Sequence, residues 1–123
     1  MAVILIVEDD PDNCEALARF LRHVGHETLC ESDGRAAVNA LIRTKADLVL
    51  LDLTLPVMMG VDFLAVIRSY VRFKSLPVFV ITGSDDSATH DEITRLGVRR
   101  VFRKASFKLD DLAAAIDAEL SPA

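Results

Sequence analysis

No stretch of the sequence approaches the ~18 consecutive apolar residues of a membrane-crossing helix. The opening run, "VILIV" at 3–7, is five residues long and ends in acids. It has neither the basic leader nor the small-residue cleavage site of a signal peptide, so a cytoplasmic protein is expected. Cysteine is scarce: Cys14 and Cys30 are the two, without CxxC spacing or a flanking histidine. That excludes the usual zinc and dithiol motifs, and both are expected as packed, reduced thiols. The three histidines, His23, His26 and His90, are scattered. Basic charge is short as well, with 14 Lys and Arg against 19 Asp and Glu and a net charge of −5. A broad nucleic-acid surface is therefore disfavoured. Low-complexity tracts are missing, and 123 residues at 51% hydrophobic and 27% charged fit one packed domain.

What the chain has instead is a recurring beat of short apolar runs. "VILIV" at 3–7, "ETLCE" at 27–31, "DLVLLDL" at 47–53, "PVFVIT" at 77–82 and "RVFRK" at 100–104 read as strands. Between them apolar residues recur at helical spacing: Leu17, Phe20, Leu21 and Val24; Val38, Leu41 and Ile42; Phe63, Leu64, Ile67 and Val71. After the last strand come Leu109, Leu112, Ala113, Ile116 and Leu120 at the same period. The fourth helical segment, "SDDSATHDEITRL", offers only Ala88, Ile93 and Leu96 and is expected to be loosely held. Asp10 before Pro11 marks a helix start, and Gly25 and Gly97 mark helix ends. Runs one, three and four are continuously apolar, as central parallel strands covered on both faces must be, while two and five suit the edges. Right-handed crossovers then predict an α/β, doubly wound (βα)5 three-layer sandwich with a parallel sheet of order 2-1-3-4-5.

In such sheets ligands bind at the carboxyl ends of the strands, beside the point where strand order reverses. The residues there are Glu8, Asp9 and Asp10 after run one, Asp52 in run three, Thr82, Gly83 and Ser84 after run four, and Lys104 after run five. Glu8, Asp9 and Asp52 should face one another, an arrangement of like charges that calls for a cation. Lys104 alone does not neutralise three carboxylates, and an all-oxygen donor set favours Mg²⁺. Asp9 and Asp52 directly, a backbone carbonyl just after Asp52, and Glu8 through water would hold it. An aspartate is ionised at neutral pH and needs charge relief, not a base, to act as a nucleophile. With the cation beside it, and with the Thr82 hydroxyl and Lys104 ammonium on phosphoryl oxygens, Asp52 is suited to form an aspartyl phosphate.

The segments "VEDDPDN", "LLDLTLPVMMG", "VITGSDD" and "VFRKASF", in this order, resemble the receiver domain of two-component response regulators, CheY-like in kind. The resemblance covers essentially the whole chain and implies a flavodoxin-like fold, with residues 1–123 as one receiver and no output domain. Carried over residue by residue, it implies that Asp52 is the phosphoacceptor, that Glu8 and Asp9 join Asp52 around Mg²⁺, and that Thr54 supplies the metal-binding carbonyl. Thr82 and Lys104 become switch residues, and the side chains of Thr54 and Ser84 tune dephosphorylation by flanking the path of water. The implied donor is a phosphohistidine of a sensor kinase or phosphotransfer protein. Transfer and hydrolysis would both be self-catalysed, so the protein is not an enzyme in the ordinary sense.

Four positions depart from the family pattern. Ala105 follows Lys104 where receivers carry proline in a cis peptide, and a cis bond before alanine costs ~3 kcal/mol, so a trans bond is expected. Val101 stands at the usual switch aromatic, and Arg99 and Arg100 replace acids, which argues against switching by aromatic rotation. Thr82 and a repacking fourth helix would then carry the signal to a downstream protein through helix four, strand five and helix five. Asp10 is read as a helix cap and not as a ligand, and Gly60 as the start of the third helix or an unusual turn. Two alternatives stand beside the switch. One is a receiver-shaped docking module that is never phosphorylated. The other is a Mg²⁺-dependent phosphatase working through an aspartyl phosphate, against which "DLT" at 52–54 lacks a second acid two residues on.

Overall fold

The computed structural model describes residues 2–53, 60–83 and 87–121. Strands and helices alternate as β1 (Val3–Val7), α1 (Pro11–His23), β2 (Glu27–Glu31), α2 (Gly34–Arg43), β3 (Leu48–Asp52), α3 (Gly60–Arg68), β4 (Val78–Thr82), α4 (Ser87–Arg95), β5 (Arg100–Arg103) and α5 (Leu109–Leu120). All neighbouring strands pair in parallel, in the order β2-β1-β3-β4-β5. This is the flavodoxin-like order expected from the apolar pattern.

The unbroken apolar runs of the central strands divide by parity, because successive side chains point to opposite faces. Ile4, Ile6, Leu48, Leu50, Phe79 and Ile81 join Leu21 of α1 and Leu112 and Ile116 of α5 in one core. Leu5, Val7, Val49, Leu51, Val78 and Val80 join α2, α3 and Ile93 of α4 in the other. Each strand is thus shared between two cores, which fixes its register and aims its carboxyl end.

Helix ends follow the signals in the chain. Asp10 accepts from the backbone N–H of Asp12 at 2.9 Å, and Asp33 caps α2 through the N–H of Ala36 at 2.8 Å. Gly25 and Gly97 end α1 and α4 at φ +102° and +80°, a region that side chains with a Cβ disfavour. Gly60 opens α3 against the end of β3: a Cβ there would lie 2.6 Å from Leu53 Cα and 3.0 Å from the Asp52 carbonyl oxygen.

Some expectations shift. Strand three begins at Leu48, since Asp47 turns both its backbone and its side chain to Val3, at 2.7 and 2.8 Å. Val71 falls beyond α3, in a 3₁₀ turn at Val71–Phe73, and is 84% exposed. Cys14 and Cys30, expected as separate thiols, are joined in a disulfide between α1 and β2, with Cα atoms 6.4 Å apart. The crossover that lays α1 over β2 brings them together, a pairing on which their sequence spacing is silent.

Candidate functional site

The register across the switch point builds the site. Ile6 pairs with Leu50 and Val7 with Leu51, so Glu8 and Asp52 occupy the next rung on neighbouring strands. Their parity is that of Ile6 and Leu50, which directs both carboxyls to the face covered by α1 and α5. Asp52 pairs with Ile81, and Ile81 with Phe102, two residues before Lys104. Four segments therefore converge without any long loop.

Among the described residues the buried polar or charged side chains are Glu8, Asp52 and Thr82. Carboxylate oxygens of Glu8, Asp9 and Asp52 all lie within 4.8 Å of one another, with Asp9 on the solvent side. The Lys104 ammonium donates to Asp52 Oδ2 at 2.9 Å. Burial works against that ammonium, but the hydrogen bond and charge of Asp52, with Glu8 and Asp9, outweigh it and hold the lysine above its ordinary pKa. Glu8 is pushed up to about 7, first by burial, then by its hydrogen bond and like charge with Asp52. Lys104 and Asn13 pull the other way.

The raised pKa of Glu8 and one ammonium thus offset part of the charge of three converging carboxyls, and a divalent cation would do so more completely. The all-oxygen donors suit a hard ion such as Mg²⁺ and offer no thiolate or imidazole to zinc. The fit rests on this chemistry.

Thr82 ends β4 one residue past Ile81, and its backbone carbonyl accepts from the Lys104 N–H at 2.9 Å. Strand four is thereby tied to the lysine. The Lys104–Ala105 peptide is trans, as expected for alanine. Asp10 turns its side chain to α1 as a cap. Thr54, the expected source of a metal-binding carbonyl, lies outside the described residues, as do Ser84, Pro56, Met58 and Met59.

Two contributors were not legible as site residues. Asn13 donates from Nδ2 to Glu8 Oε1 at 3.4 Å, where the Asp10 N–H also reaches at 3.4 Å. Gly60 lets α3 close directly onto the backbone that carries Asp52. Asn13 stands in the first turn after a capping aspartate, facing the acids, which is the one signal that marks it. Below the acids a cavity of about 240 Å³ opens between α1 and α5, walled by Leu17, Ile81, Phe107 and Leu109.

A family model for the response regulator receiver domain matches residues 4–117. The chain belongs to that family. Among curated relatives, this receiver is 34% identical over 113 residues to the transcriptional regulatory protein CrdR of Helicobacter pylori, covering 92% of this chain and 52% of CrdR. It is 41% identical over 85 residues to the sensory transduction protein RegX3 of Mycobacterium tuberculosis, covering 69% of this chain and 36% of that protein. The chain thus spans about half or less of the length of these relatives. Among solved structures, the receiver superimposes on the signal receiver domain of a signal transduction histidine kinase from Syntrophus aciditrophicus at a TM-score of 0.89 and 28% identity. That match covers 98% of this chain and 90% of the other. The receiver domain of sensor histidine kinase PA1611 from Pseudomonas aeruginosa, with a magnesium ion coordinated in its active site cleft, matches at a TM-score of 0.85 and 26% identity over 95% of both chains.

Proposed function

We propose that this receiver accepts a phosphoryl group on Asp52 from a phosphohistidine of a sensor kinase or phosphotransfer protein. Supporting this is the convergence of Glu8, Asp9 and Asp52 with the Lys104 ammonium at 2.9 Å from the central carboxylate. Glu8, Asp9, Asp52 and the Thr54 carbonyl would hold Mg²⁺, which when bound supplies charge neutralisation between the nucleophile and the phosphoryl oxygens. An Asp52 oxygen attacks phosphorus, the donor's P–N bond breaks, and the imidazole leaves with the electron pair and takes up a proton. Lys104 and the Thr82 hydroxyl bind the transferred oxygens. Water later attacks the acyl phosphate and returns Asp52 and inorganic phosphate, at a rate tuned by Thr54 and Ser84.

Output would pass through α4, β5 and α5 to a downstream protein. Val101 is only half-buried and packs against the α2–α4 core, where a swinging aromatic is not available. Repacking of α4 therefore carries the switch, since Ile93 is its fully buried apolar anchor among the described side chains. The docking-only alternative loses ground because Ala105 leaves Lys104 seated on Asp52. A phosphatase reading gains nothing from the site.

The deciding experiment treats the protein with Mg²⁺ and acetyl phosphate and reads intact mass. One phosphoryl group per chain, absent in Asp52→Asn and without Mg²⁺, is expected. Unmodified protein under saturating donor, or continuous release of phosphate from varied monoesters, would refute the reading.

A further inference from the structure

The disulfide is the feature that the phosphoacceptor reading does not use. It joins the first turn of α1 to the edge strand β2, and its two sulfurs differ sharply in surroundings. Cys14 is 5% exposed within the α1 core, whereas Cys30, on the α1 side of edge strand β2, is itself exposed. An attacking thiolate therefore reaches Cys30 and not Cys14. Cys30 Sγ also lies 3.7 Å from the Cys14 carbonyl oxygen, so a freed Cys30 thiol finds a hydrogen-bond acceptor in place.

The neighbours of both cysteines grip Glu8. Asn13, beside Cys14, donates to Glu8 Oε1, and the Glu31 carbonyl, beside Cys30, accepts from the Glu8 backbone N–H at 3.0 Å. The disulfide closes a ring around that glutamate, from β1 through the start of α1, across the bond and back along β2. Among the described residues no strand pairs with the outer edge of β2, and the bond ties α1 to the sheet there.

We propose that Cys14–Cys30 is a thiol-exchange site, opened at Cys30 by an external dithiol, and that opening it loosens the seat of Glu8 and weakens divalent-cation binding. In the step, one thiolate of the dithiol attacks Cys30 Sγ. The S–S bond breaks and the electron pair passes to Cys14 Sγ, which takes a proton. The second thiolate of the reagent attacks its own sulfur in the mixed disulfide and expels Cys30, which is protonated in turn. The dithiol is oxidised to its cyclic disulfide, and the protein gains two electrons and two protons. The effect on cation binding rests on the magnesium reading above, whereas the exchange itself does not.

The test uses the full chain, equilibrated against oxidised and reduced dithiothreitol, with thiols counted by alkylation and mass. Magnesium binding is measured by titration calorimetry in both states. No free thiol in the oxidised form and two in the reduced form are expected. The magnesium Kd should rise roughly three- to tenfold on reduction, less than the ~10–100-fold that follows loss of an outer-shell partner outright. Cys30→Ser, which alters an exposed position outside the acid cluster, should bind magnesium like the reduced protein and ignore the redox couple. Two free thiols under every oxidised condition would overturn the exchange, and equal affinity in both states would overturn the coupling. Absence of magnesium binding in either state would overturn the coupling together with the phosphoacceptor reading, with the thiol count still deciding the exchange.

Discussion

At the scale of single residues, the acid pocket is defined by how it holds protons. Glu8 keeps its proton to about pH 7 in the folded chain against an ordinary 4.5, because burial and Asp52 disfavour its charge. A carboxyl raised on folding adds stability that is complete below its unfolded pKa and is lost as pH rises through the folded value. In metal-free buffer the urea midpoint should therefore fall between pH 6 and 8.5 (both about one to two units from the raised value) more in the native protein than in Glu8→Gln. Equal slopes would show that Glu8 ionises freely. Lys104 tests the opposite sign. Lys104→Met strips Asp52, 4% exposed, of its ammonium, itself 41% exposed. Breaking a fully buried pair costs about 3–5 kcal/mol, and solvent around this lysine reduces that to about 1–2 kcal/mol at pH 8. Asp52→Asn should remove most of that penalty in a double-mutant cycle measured by denaturant unfolding.

Elements were legible where a period carried them. All five strands and the apolar faces of α1, α2, α3 and α5 follow from the short apolar runs and from helical spacing, because burial on two faces leaves no other reading for "LVLL" between turns. Contacts made by polar groups across elements were not. Arg68 ends α3 with its guanidinium turned inward, Nε to the Leu96 carbonyl at 2.8 Å and Nη1 to those of Phe73 and Leu76 at 2.7 and 2.9 Å. Burial and the nearby charge of Arg99 lower its pKa, yet the planar fork joins α3, the turn after it and the end of α4. No spacing in the chain announces such a clamp, since a lone arginine at a helix end reads as a solvated partner of the helix dipole. Arg68→Ala should cost about 2–4 kcal/mol, as several charge-assisted hydrogen bonds to carbonyls are lost together. Arg68→Lys should recover less than half, because an ammonium cannot span those acceptors. Denaturant midpoints of the two variants, with hydrogen exchange across α4, measure both.

At the scale of the whole molecule, the site was legible because topology did the assembling: parallel strands in order 2-1-3-4-5 bring Glu8, Asp52, Thr82 and Lys104 to one edge of the sheet from four separate stretches of chain. The Cys14–Cys30 bond was not, since it depends on which helix lies over which strand and at what rotation. The same convergence makes the folded state the only form of this acidic chain, net charge −5, that presents a cation with clustered oxygens. A ligand bound by the folded form alone stabilises it by RT ln(1 + [L]/Kd), about 2.7 kcal/mol at 100 Kd. For a domain of this size roughly 4 °C accompanies each kcal/mol, so saturating Mg²⁺ should raise Tm by about 10 °C. Sodium chloride at matched ionic strength should give only the small shift that screening provides. Asp52→Asn and Asp9→Asn should each lose most of the magnesium-specific increment while keeping the fold. An increment that survives both substitutions would move the ion away from the strand ends and leave the acid cluster as a proton-sharing group alone.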